Sequence, residues 1–327
     1  VQYGEGGAGT FSDGKLYSQV KDKRFLGRKV LAEFVKAGAP EEILYVRKPH
    51  IGTFKLVKMV ETMRAEIIRL GGEIRFNCKV ETIHRKHNQH FSADAQGNDK
   101  EGQITGVTLS NGETLHSKHI ILAIGHSARD SFQMLLDQGV YIEPKPFSIG
   151  FRIEHPQSLI DQCRYGKFAG HADLGAADYK LVHHCKNGRS VYSFCMCPGG
   201  TIAPCATSPG EIVNNGWSPS KRDQATANSG IVVEVRPEDF KKYGDTPLAA
   251  MYFQQEVEQK AWAAGGKTHT APAHQPVPAA YPPQTDAHHN HGLFACCFFL
   301  LIDIKVSQIE VRRLGNFNVI RTRFNNL

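Results

Sequence analysis

The stretch HIILAIGHSARD, residues 119–130, sets the fold class of this chain. His119 to Ile124 is a short apolar run with the length and β-branching of a buried strand. Gly125 closes it, and an amphipathic helix is predicted from about Ser127 to Gln138. Strand, glycine turn and helix form the layout of a phosphate site, because the helix's first N–H groups and its positive dipole end face the turn. Ser127 is placed to cap that helix. The same succession is common in α/β proteins without a ligand, so it predicts the α/β layer and leaves binding open. His126 reads as a polar turn residue, with a proton carrier near neutral pH as the alternative.

Upstream, Leu31 to Ala37 reads as a short helix ended by Gly38 and Pro40, and Thr53 to Leu70 as a longer one. In the longer helix Leu56, Val60, Met63, Ile67 and Leu70 recur at steps of three and four, with Thr53 as the expected cap and Gly71-Gly72 as the stop. Strands are predicted at Glu73–Phe76, Lys79–His84, Ile104–Leu109 and Thr114–Ser117, the last two joined by the hairpin signal Asn111-Gly112. Downstream of Pro144 turns multiply, and Phe147–Ile153, Ser190–Cys195 and Ile231–Val235 read as short strands. The reading is therefore an α/β (α+β) chain in three parts: residues 1–145, a β-rich domain at 146–271, and a Pro/His-rich linker with a basic tail at 272–327.

Composition bounds the rest. With 41% hydrophobic and 22% charged residues the chain can build a sizeable core. The net charge of +7 owes +4 to residues 305–327 alone, so the body is near balance and nothing points to nucleic acid. The longest apolar run, Leu293 to Ile302, has ten residues where a spanning helix needs about 20, so no membrane partner is expected. Eight cysteines in 327 residues are sparse for a disulfide scaffold, and a reducing cytoplasm is the expected home.

Three groups of residues could carry chemistry. The run from Gly4 to Lys15 holds five glycines in its first eleven positions and must be a loop. Gly9 to Lys15 has the glycine and lysine spacing of a P-loop, but Leu16 stands where a magnesium-binding hydroxyl belongs and no apolar strand precedes it. A nucleotidase is thereby disfavoured, although backbone N–H groups, Lys15 and the hydroxyls of Thr10 and Ser12 could still face an anion. Arg152 and Glu154 would share a face of a strand, as a structural ion pair or, together with His155, as a site that positions an acidic substrate and moves a proton. Cys195 and Cys197 are one residue short of the usual Cys-x-x-Cys spacing. Two residues apart on an extended strand their Cα atoms lie about 6.5–7 Å apart, at the limit of disulfide reach, so both are expected as thiols. No metal site is expected, the histidines at 183–184 and 288–291 included.

Several segments together resemble the FAD-dependent dehydrogenases of the two-dinucleotide-binding flavoprotein group: YGEGGAGTFSDGKL (3–16), AGAPEEILY (37–45), KPHIGT (48–53), LAIGHSARD (122–130), EPKPFSIGFRIEHPQ (143–157), YGKFAGH (165–171), LGAADYKL (174–181) and YSFCMCPGG (192–200). The resemblance spans roughly residues 1–266. It implies a Rossmann-like FAD/NAD(P)-binding domain interrupted by a substrate domain, an oxidoreductase that passes electrons between a small-molecule substrate and a separate donor or acceptor. The implied FAD site comprises Gly6, Gly7, Ala8, Gly9, Thr10, Ser12, Asp13, Gly14 and Lys15 along flavin and pyrophosphate, Val80 by the adenine, and Gly125, His126, Ser127 and Ala128 closing over the cofactor. Arg152, Glu154 and His155 are the catalytic candidates. The resemblance also places the family's first strand and G-x-G-x-x-G turn before Val1 and its last flavin-site segment after the substrate domain, so these 327 residues are expected to hold FAD weakly. A non-catalytic interaction module is the alternative.

Overall fold

The computed structural model describes residues 5–6, 14–16, 22–87, 102–268, 273–274 and 294–297. Helix α1 (Leu26–Lys36) begins five residues before the predicted start, and Gly38 ends it with φ 103°. Helix α2 (Thr53–Arg69) lies between two left-handed glycines, Gly52 at φ 86° and Gly71 at φ 87°. Thr53 is its first helical residue and makes no cap. Its hydroxyl instead turns toward Ser218 O at 3.5 Å. Leu56 and Met59 pack on Ala37, Ala39, Ile43 and Ile51, a core closed beneath the first turns of α2. The lower half of the predicted stripe is not buried: Ile67 and Leu70 are exposed.

Strands β1 (Val80–His87), β2 (Gly102–Leu109) and β3 (Thr114–His116) form an antiparallel meander. The hairpin at Asn111-Gly112 is present, with Gly112 at φ 83° and Asn111 Oδ1 accepting the Glu113 N–H at 3.0 Å. Two predicted strands are absent. Glu73–Phe76 is irregular, and so is His119–Ile124. An apolar run becomes a strand only where its backbone finds a partner, and among the described residues none lies beside 119–124. Ile121 is 93% exposed, while Ile124 packs against the core around α3 (Arg129–Asp137).

The remainder is built on a six-stranded antiparallel sheet in the order β10-β11-β4-β9-β6-β5. Its centre is β4 (Phe147–Pro156) paired over ten positions with β9 (Thr226–Val235), then β6 (Ser190–Cys197) and β5 (Val182–His184). The short strands β10 (Ala273–His274) and β11 (Phe294–Cys297) extend it beyond β4. The ribbon of β7 (Thr201–Cys205) and β8 (Val213–Trp217) forms a separate two-stranded sheet, and α4 (Gln157–Tyr165) follows β4 directly. Helix α5 (Ala249–Ala264) touches three packed groups: Ala249 and Ala250 meet Phe147, Val235 and Phe240; Met251 meets Phe132, Leu135 and Ile142; Ala261 meets Ile212 and Val213. Apolar side chains of α5 thereby tie α3 and Ile142 to the sheet.

The observed architecture is mixed α/β with antiparallel sheets among the described residues. No described helix is long and apolar enough to cross a membrane.

Candidate functional site

Gly14 and Lys15 lie against His50 and Ile51: Lys15 bridges to His50, and the Ile51 N–H donates to Gly14 O at 3.1 Å. This seating sends the Lys15 side chain onto the end of β6. Its ammonium donates to Met196 O at 2.5 Å and stands 3.6 Å from both Cys195 Sγ and Cys197 Sγ. Beside Cys197 lies Arg152, fully buried. Its Nη1 donates to Cys195 O at 3.2 Å and to Asn228 Oδ1, and lies 4.0 Å from Cys197 Sγ. Lys15 therefore stands beside both unbridged thiols and Arg152 beside Cys197, and a cation near a thiol favours the negative form of sulfur.

The local backbone explains how the thiols meet. The β6–β9 register shifts between Phe194 and Cys197, and Cys195 sits at φ 48°, in the left-handed region. The strand is bulged here, so the extended-strand geometry expected for Cys195 does not apply, although the pair is unbridged. Around this point the first part of the chain docks on the second. His50 Nε2 lies 3.0 Å from Ser220 O, Gly52 presses on Ser220, and the Phe54 ring meets Trp217 edge-on with centroids 5.8 Å apart.

The glycine turn before α3 is held by a different device. Arg129 is buried and donates to Glu211 at 2.6 Å and to Glu258 at 2.9 Å. Burial pushes the Glu258 carboxyl up to about 7, opposed by Arg129 and reinforced by the neighbouring Glu211. Burial also lowers the His126 imidazole, with the Arg129 charge adding to it. Gly125 is left-handed at φ 69°, and nothing lies within 4 Å of where its Cβ would be. The expected Ser127 cap is not made: the N-cap position is Ala128, without a side-chain hydrogen bond.

The candidate residues thus separate into groups. Lys79, beside Val80 at the foot of β1, pairs with Asp130, two residues beyond the 125–128 turn, at 2.7 Å. Arg152 and Glu154 do share a face of β4, but they bind protein: Glu154 Oε2 accepts the Ile202 N–H at 3.0 Å. His155 lies on the opposite face, where its Nε2 is 2.8 Å from the Tyr179 hydroxyl. The three are not one constellation. Gly6 is exposed in a turn. Gly7, Ala8, Gly9, Thr10, Ser12 and Asp13 lie outside the described residues, and so does most of the comparison between that loop and the Gly125 turn. Sequence reasoning missed Arg129 and its two carboxylate partners, 82 and 129 residues away. The signal available was an arginine at the start of an otherwise apolar-faced helix. Among the described residues no group of three or more metal-ligating side chains is assembled.

Residues 146–281 match the family model described as FAD-dependent protein, C-terminal domain-like. Over 273 residues, 83% of this chain, the sequence is 46% identical to an uncharacterized protein of Clostridium beijerinckii. The chain covers 48% of that protein, about half its length. The family match supports a relationship to FAD-dependent proteins.

Of the implied FAD site, the described residues comprise Gly6, Gly14, Lys15, Val80 and the 125–128 turn. The Gly125 turn is open. In the first turn of α3, however, the Asp130 carboxylate, paired with Lys79, already accepts the Ser131 N–H at 2.8 Å, so that donor is taken. Lys15, expected along flavin and pyrophosphate, is engaged by Met196 O.

Proposed function

We propose that the protein is an FAD-dependent oxidoreductase acting on a small molecule with a separate electron donor or acceptor. The observation that carries this reading is the family match over residues 146–281. A bound flavin would supply the two-electron chemistry, and the protein would supply orientation and charge. In this reading the Lys15 junction is the border at which the glycine-rich segment is fixed against the substrate domain. Lys15 holds the segment to β6, and Arg152 is a positioning residue that fixes the bulge carrying Cys195 and Cys197. The Gly125 turn would meet the cofactor's edge, its course set by Arg129. Glu154 holds the start of β7 in place.

Anaerobic reduction of the protein purified from its native source, followed by reoxidation with a dye acceptor, tests the proposal. Flavin absorbance that bleaches and returns is the expected result. Protein whose flavin cannot be cycled, or which carries none, would overturn it.

A further inference from the structure

The face of β4 opposite Arg152 carries a cleft that the junction does not use. It lies over β4 and β9, between α4 and residues 178–181, with a volume of about 430 Å³. That is within the usual range for small-molecule sites, roughly 300–1,000 Å³. Ile153 and Ile231 form its floor and Leu181 one wall. Against this apolar lining stands a polar pair, His155 and Tyr179, joined at 2.8 Å with ring centroids 5.5 Å apart. Burial lowers the imidazole and raises the phenol, so both are neutral near pH 7 and offer hydrogen bonds rather than charge.

The charges at the rim are unbalanced. Asp178 is neutralised by Lys48. Arg164 from α4 and Lys180 from the facing segment also line the cleft, and among the described residues neither has an ion-pair partner. An apolar floor, a neutral donor–acceptor pair and two uncompensated cations define a ligand with an apolar body and a negative end. We infer that this cleft binds a small organic anion, its apolar part on Ile153 and Ile231 and its charged group between Arg164 and Lys180. The inference is independent of the flavin and of the Lys15 junction.

Cys163 is an exposed residue of the same cleft and serves as a local reporter. The probe is 8-anilinonaphthalene-1-sulfonate, with N-phenyl-1-naphthylamine as the analogue that keeps the rings and lacks the sulfonate. Alkylation rates at each cysteine are read by mass spectrometry. Saturating sulfonate is expected to slow Cys163 at least about fivefold while Cys78 and Cys185 keep their rates, and the uncharged analogue to protect less. Charged hydrogen bonds of the usual strength make binding to the double variant Arg164→Gln, Lys180→Gln roughly tenfold or more weaker. Both residues are exposed, so the variant should keep its melting temperature. Unchanged Cys163 reactivity with sulfonate present would overturn the inference, as would equal protection by the uncharged analogue or undiminished protection in a folded double variant.

Discussion

Gly216 shows how tightly the junction is built. A Cβ there would overlap Arg152 Nη1 and Asn228 Oδ1 and lie 2.9 Å from Cys197 Sγ, all in the interior. Gly216→Ala should therefore destabilise the protein by about 1–3 kcal/mol in urea unfolding, because neither the buried guanidinium nor the paired amide can move cheaply. The reactivity of the thiols gives a second check. With the Lys15 ammonium 3.6 Å away, iodoacetamide should alkylate Cys195 near neutral pH several-fold faster in the parent than in Lys15→Met. Glu258 gives a third. Its folded pKa of about 7 lies above the ordinary 4.5, so the unfolded chain loses this proton first as pH rises. The stabilisation is complete below about 4.5 and is lost progressively up to about 7. Glu258→Gln should flatten the dependence of stability on pH over that window; an unaltered slope would show that another group titrates there. The alternation of a strand made the common face of Arg152 and Glu154 legible in the sequence, and the same alternation separates His155 from them. The destination of Lys15 was not legible, since its acceptor lies 181 residues away.

Among the elements, those bounded by local backbone chemistry read well and those that depend on a distant partner did not. The hairpin at 111–112 and the limits of α2 follow from glycines at positive φ. The run 119–124 has the composition of a strand, but composition supplies no neighbour to pair with. Gly52 connects the two kinds of information. It starts α2 at φ 86°, and a Cβ on it would come within 2.6 Å of Ser220 N. Gly52→Ala should both strain the turn and push α2 off the 218–220 loop, lowering stability by roughly 2 kcal/mol or more. Gly112→Ala also meets a positive φ but no neighbouring atom within 4 Å, so it should cost only about 1 kcal/mol. Thermal or urea denaturation of the two variants side by side measures the difference, which is the contribution of docking beyond turn strain.

Across the whole molecule the β-rich character of residues beyond 146 was legible from short alternating runs, whereas the strand order was not, because β4, β9 and β6 are brought together from three separated stretches. The cofactor expectation rests at this scale as well. The described residues offer an open turn at Gly125 and no complete pyrophosphate site. Flavin released by heat from protein purified out of its native source should be FAD at one per chain, and flavin-free protein that also fails to bind added FAD would contradict the assignment.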